Sequence, residues 1–222
     1  GLAAKGIASF RTARSMLETY IGRETSRKVL SGQVRRGSVD SINAVLIYAD
    51  LKGFTNLSDT IERHDLVEML DQYLDRMVIP IEAAGGEILK FMGDGVLATF
   101  ELTSLDEMAL QQTCSTALDV ARQMAEGVEQ LNQKRREKNK PVMDLDIALH
   151  VGEVMYGNVG SETRLDFTVI GPAVNEVSRI EALCDELDAR LVASGDFVRT
   201  CADAASSLRS CGYHELRGVR EP

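Results

Sequence analysis

Ala44-Val45-Leu46-Ile47 is apolar at four consecutive positions and is followed at once by Tyr48-Ala49-Asp50-Leu51-Lys52-Gly53-Phe54-Thr55. A buried strand over 43–49 is thus predicted to deliver a carboxylate to a glycine turn, with a polar, helix-like segment starting at Asn56. From His64 to Ala84 the apolar residues Leu66, Leu70, Tyr73, Leu74, Met77, Val78 and Ile81 recur at helical spacing, which predicts one buried stripe. Pro80 should kink or shorten this helix. Gly85-Gly86 closes it, and the strand patterns 87–92 and 96–100 flank Gly93-Asp94-Gly95 as the arms of a tight hairpin flank its turn.

The segment 105–135 reads as a long helix with Leu110, Cys114, Ala117, Leu118, Ala121, Met124, Val128 and Leu131 along one side. A strand over 145–151, a glycine-punctuated turn region from Gly152 to Gly160 and a strand from Arg164 to Ile170 follow. Gly171-Pro172 then opens a helix, with proline in its first turn. Its apolar face carries Ala173, Val177, Ile180, Cys184 and Leu187, and the opposite face carries Asn175 and Arg179. A short strand at 190–193, a helix at 196–205 and a closing strand pair within 208–216 complete the pattern. Ahead of the first strand lie a helix over 10–31 broken at Gly22 and a polar turn at Arg35-Arg36-Gly37. Helices interleaved with hairpins argue for an α+β sandwich with a mostly antiparallel sheet. Neither a GxGxxG nor a GxxxxGK[ST] cradle occurs at a strand-to-helix junction.

The 222 residues suffice for one sizeable core. A net charge of -9 gives no basic field for nucleic acid, so a polyanionic ligand must be met by local cations or metal ions. No apolar run reaches membrane-spanning length, and the first residues resemble neither a signal nor a transit peptide, so a cytoplasmic setting is expected. Cys114, Cys184, Cys201 and Cys211 lack metal-ligand spacing and are expected as reduced thiols. His64, His150 and His214 are scattered and read as structural or surface residues. The chain begins without Met and stops just past a strand-like run, which reads as a piece excised from a longer protein.

Asp50 at a strand end and Asp94 at a hairpin tip meet at one sheet edge if their strands are neighbours. Two such carboxylates suit Mg²⁺ or Mn²⁺ and the two-ion chemistry of nucleotidyl transfer. Ala49-Asp50-Leu51-Lys52-Gly53-Phe54-Thr55, Lys90-Phe91-Met92-Gly93-Asp94-Gly95 and Gly171-Pro172-Ala173-Val174-Asn175-Glu176-Val177-Ser178-Arg179 together resemble, in order and spacing, the class III nucleotidyl cyclase catalytic domain. The resemblance covers about residue 40 to the end, leaving 1–40 as a helical lead-in similar to that of bacterial members and 41–222 as the catalytic domain.

It implies a ferredoxin-like (βαββαβ-type) sandwich acting as a head-to-tail homodimer, with sites shared between subunits. By motif position it implies Asp50 and Asp94 as ligands of two metal ions, and Gly53, Phe54 and Thr55 at the triphosphate. It further implies Lys90 and Thr168 reading the base, Asn175 placing the ribose, and Arg179 steadying charge on the α-phosphate. Lys90 suits adenine, whose N1 accepts a hydrogen bond, whereas guanine would suit a carboxylate there. The implied reaction is ATP to cyclic AMP and pyrophosphate. Thr168 departs from the Asp common among adenylyl cyclases and resembles a subgroup that bicarbonate stimulates, which keeps a guanylyl or dual-specificity cyclase in view. Glu153 departs from a phosphate-contacting Arg, leaving Arg217 as a candidate. A module that only binds nucleotide or dimerises is the other class of reading. An upstream regulatory domain, and with it a membrane attachment of the parent protein, is expected of the full-length chain.

Overall fold

In the computed structural model, residues 2–32, 39–103, 106–161, 163 and 165–219 are described. Two compact units divide the chain: Gly1–Ser41 with Met155–Val169, and Ile42–Val154 with Ile170–Pro222. The smaller unit contains α1 (Leu2–Ile21) and α2 (Arg23–Leu30), separated at Gly22 as the pattern predicts, though α1 starts well before residue 10. Lys28 pairs with Asp40 at 2.7 Å and lies 5.6 Å from the centre of the Tyr156 ring. The predicted turn at Arg35-Arg36-Gly37 falls outside the described residues.

The larger unit is built on β1 (Val39–Lys52), α3 (Phe54–Ser58), α4 (Arg63–Ala83), β2 (Glu87–Met92), β3 (Gly95–Glu101), α5 (Glu107–Glu137) and β4 (Asp144–Gly160). The strand order β2-β3-β1-β4, with β5 (Leu165–Ile170) next, is that of a βαββαβ sandwich, and the fold is the expected α+β class. The pairings β1–β3 and β2–β3 are antiparallel. After β5 come α6 (Pro172–Glu181), α7 (Leu183–Leu187), β6 (Leu191–Ala193), α8 (Gly195–Thr200) and α9 (Ala202–Ala205), with β6 parallel to β4.

Alternation along the strands separates two faces. Val45, Ile47, Ala49, Val96, Ala98, Phe100, Leu145, Ile147 and Leu149 join the main core with Met69, Tyr73, Met77 and Ile81 of α4 and the apolar stripe of α5. Each such large side chain contributes about 1.5–3 kcal/mol by leaving water. Leu46, Leu97 and Ala148, one residue out of phase, are buried on the opposite face. There α6 comes down on β4: a Cβ at Gly152 would lie 2.6 Å from that of Ala173, so only glycine permits this approach.

A bulge decides where Lys90 points. Ile88 pairs with Ala98, but Lys90 pairs with Leu97, so Leu89 is an extra residue in β2. Ile88 and Lys90, two apart, therefore face opposite sides of the sheet. Lys90 shares the face of Leu97 and, across β3, of Tyr48.

Several expectations need correction. Gly152–Gly160 is not a turn region but the second half of the continuous strand β4, because Val154, Tyr156 and Asn158 keep an inward-facing alternation through the glycines. The closing strand pair at 208–216 is absent: Cys211 and Tyr213 are exposed, and no alternating face is buried there. The helix at 196–205 is interrupted at Cys201. Pro80 does not break α4, which continues to Ala83, and the Pro80 carbonyl accepts from the Ala84 amide. Cys114 and Cys201 are not reduced thiols but a disulfide between α5 and the end of α8, while Cys184 and Cys211 are free. Packing brings their Cα atoms to 5.4 Å, a proximity that spacing along the chain does not encode.

Candidate active site

Asp50 follows Ala49, which pairs with Val96, so its backbone stands opposite Gly95 and its side chain shares the face of Tyr48. A Cβ at Gly95 would lie 2.5 Å from Asp50 Oδ1 and 3.0 Å from the Ala49 carbonyl oxygen. Position 95 must be glycine for the carboxylate to lie across the hairpin. Asp94, in the β2–β3 turn, precedes it directly. The two aspartates named from the sequence are thus brought to one end of the sheet by the β1–β3 register.

Their electrostatics are those of crowded acids. Burial, then Asp94 and Asp146, push the Asp50 carboxyl up from 3.8 to about 6. Burial raises Asp94 as well, against the opposing effect of its own backbone amide. Glu181, near the end of α6, is pushed up from 4.5 to about 7 by burial and then by Asp50, Asp146, Asp185 and Asp94. Burial, then Asp50, Glu181 and Asp94, carry the Tyr48 phenol to about 12. Among the described residues no Lys, Arg or His pairs with Asp50, Asp94 or Glu181. Nearby cations are committed elsewhere: Lys52 pairs with Asp185, and Arg190 donates to Asp144 at 2.6 Å and to the buried Asp146 at 2.9 Å. Half-buried carboxyls whose proton affinity is raised by burial, and for Asp50 and Glu181 by neighbouring acids as well, and which pair with no cation among the described residues fit a hard divalent ion such as Mg²⁺ or Mn²⁺.

Lys90 is exposed on the Asp50 face and, like Arg179, makes no ion pair among the described residues. Gly53 (φ 90°) leads into α3, where Phe54 packs partly against the core and Thr55 is exposed. Asn175 is exposed and Arg179 half-buried, one turn apart on α6, opposite the buried Ala173, Val177 and Ile180. The Arg179 guanidinium lies against Gly218, whose Cβ position is 3.6 Å from both terminal nitrogens, and Arg217 in the same turn is exposed. Thr168 is half-buried on β5 in the smaller unit.

Sequence reasoning missed Tyr48, Asp146 and Glu181. Tyr48 and Asp146 carry a faint signal, since each is a polar group at an alternation position of an otherwise apolar strand. Glu181 has none beyond its place two residues after Arg179.

The profile of the adenylate and guanylate cyclase catalytic domain matches residues 38–220. The chain is similar to adenylate cyclase 1 of Rhizobium meliloti (strain 1021), 29% identical over 90% of this chain and 29% of the relative, so it spans less than a third of that protein. The structure resembles that of the adenylyl cyclase CyaB from P. aeruginosa (TM-score 0.70, 26% identity, 83% of this chain and 92% of that one). It also resembles the guanylyl cyclase Cya2 (TM-score 0.66, 26% identity, 82% and 89%). No helix among the described residues is long and apolar enough to cross a membrane. With three motifs converging on one fold and a profile match over most of its length, the chain belongs to the adenylate and guanylate cyclase catalytic domain family.

Proposed function

We propose that the chain is an adenylyl cyclase that forms 3′,5′-cyclic AMP and pyrophosphate from ATP at the interface of a head-to-tail homodimer. The observation that carries this reading is the meeting of Asp50 and Asp94 beside Gly95, with no Lys, Arg or His paired to either among the described residues. Asp50 and Asp94 would hold two divalent ions, which when bound supply Lewis-acid stabilisation of the reacting phosphate oxygens. The backbone around Gly53, Phe54 and Thr55 receives the triphosphate. Lys90 donates to adenine N1, and Thr168 offers its hydroxyl to the N6 amino group. Asn175 orients the ribose so that its 3′-oxygen lies in line with the α-phosphorus. The 3′-oxygen forms the new bond to phosphorus, the bond to the β-bridging oxygen breaks, pyrophosphate departs, and the 3′-hydroxyl proton passes to solvent. Arg179, a permanent cation, donates to the α-phosphate as charge spreads over its oxygens.

A guanylyl cyclase is the second reading, favoured by Thr168 and by the likeness to Cya2. The purified chain, assayed for cyclic nucleotide and pyrophosphate with Mg²⁺ or Mn²⁺, should turn over ATP faster than GTP. Adding bicarbonate in a parallel arm tests activation. Preference for GTP overturns the adenylyl assignment. Nucleotide binding without product under either metal leaves a binding module.

A further inference from the structure

His150 is 3% exposed on β4, on the face that receives α6, and it has no part in the proposed chemistry. Its ring is engaged on both sides. Nε2 lies 3.1 Å from Glu176 Oε2 on α6, and Nδ1 lies 2.9 Å from the Ser194 hydroxyl at the head of α8. The tautomer follows from the partners. A carboxylate only accepts, so Nε2 carries the hydrogen and donates to Glu176. Burial, which outweighs the pull of Glu176, lowers the His150 pKa and keeps the ring neutral, so Nδ1 is an acceptor. The Ser194 hydroxyl therefore donates to Nδ1, while its oxygen accepts from the Phe197 amide at 3.0 Å. Every polar atom of the relay is satisfied in one direction: Phe197 amide to Ser194, Ser194 to His150, His150 to Glu176.

The chain spends a glycine on this contact. A Cβ at Gly152 would lie 3.2 Å from His150 Nε2 as well as 2.6 Å from the Ala173 Cβ. The same absent methyl admits the first turn of α6 and the edge of the imidazole that ties it down. Glu176 is the residue after Asn175 and one turn before the end of α6, with Arg179 three residues on. A hydrogen bond to its carboxylate fixes the helix's rotation about its own axis, which the apolar contacts of Ala173, Val177 and Ile180 leave freer to adjust.

We propose that His150 is a positioning residue: its hydrogen bond to Glu176 sets the rotation of α6 and thereby the placement of Asn175 and Arg179. The proposal rests on the cyclase roles given to those two side chains above. Because an error of about 1 Å in such groups costs up to about 100-fold in rate, the clamp acts on turnover more than on substrate affinity.

Two substitutions separate this from a packing role. His150→Gln keeps an N–H donor near the Nε2 position, and His150→Asn keeps an acceptor near Nδ1 only. Expected is a kcat loss of about 10- to 100-fold in His150→Asn with KM for ATP changed less than about threefold, and recovery of most of kcat in His150→Gln. Glu176→Ala should match His150→Asn, and the double variant should be no worse than either, since one bond is lost once. Equal losses in Asn and Gln variants that track the melting temperature, or additive losses in the double variant, overturn the clamp. Amide hydrogen exchange read on the same proteins needs no turnover. His150→Asn should speed exchange in α6 and leave α5 unchanged, whereas unchanged exchange in α6 overturns the clamp. If the wild-type chain makes no cyclic nucleotide while α6 exchange responds, the cyclase reading fails and the tie to α6 stands.

Discussion

Asp50 shows how a proposed functional group strains the fold that carries it. Between pH 3.8 and about 6 the folded protein holds a proton on this carboxyl that the unfolded chain has released, so stability falls as pH rises through that window. Glu181 extends the same trend from 4.5 to about 7. Above pH 7 both groups are charged and the metal-free protein carries the full deficit. For half-buried Asp50, solvent screening leaves this at roughly 1 kcal/mol. Asp50→Asn should accordingly raise the melting temperature of the metal-free protein at pH 8, leave it unchanged at pH 4, and abolish metal-dependent turnover. Calorimetry at the two pH values, beside a cyclic-nucleotide assay, checks all three; a lower melting temperature at pH 8 would contradict the account. Asp50, Asp94, Lys90, Asn175 and Arg179 could be named as candidates from the sequence because each sits in a local motif. Glu181 and Asp146 were not, because they reach the acidic cluster only through folding, from α6 and from β4.

Arg190 ties together elements that local patterning treats separately. It lies just before β6 and its fork spans Asp144 and Asp146 at the start of β4, Asp146 being buried and Arg190 half-exposed. Arg190→Ala strands a buried carboxylate close to three other acids. It should cost about 2 kcal/mol, below the range for a fully buried pair, whereas Asp146→Asn in that background should recover part of the loss. Urea titration of the single and double variants measures both, and no recovery would mean the cost is one of packing. At this scale the sequence was informative wherever one period ran uninterrupted, as in α4, α5 and the β2–β3 hairpin. It misled where glycines punctuated a strand that tertiary contacts kept extended, at Gly152–Gly160, and where a strand-like run at 208–216 found no face to bury. The Cys114–Cys201 bond joins residues separated by 87 positions and left no local trace.

For the whole molecule, the dimer reading makes a stoichiometric claim. If Asp50 serves one subunit's share of a site and Arg179 the other's, equal mixing of Asp50→Ala and Arg179→Ala chains should restore about a quarter of wild-type activity. Half the dimers are then mixed, each with one of two sites intact. Activity regained only on mixing and subunit exchange supports shared sites; none regained contradicts them. The extra residue in β2 bears on how such a molecule can change. Because Leu89 is the extra residue that puts Lys90 opposite Leu97, pairing β2 without the bulge and with Ile88 still opposite Ala98 would set Leu89 against Leu97 and turn the ammonium to the helix-packed side, with every letter of the sequence unchanged. The side on which position 90 stands is consequently set by how β2 pairs and not by the lettering there, and a comparison of sequences alone would overlook it.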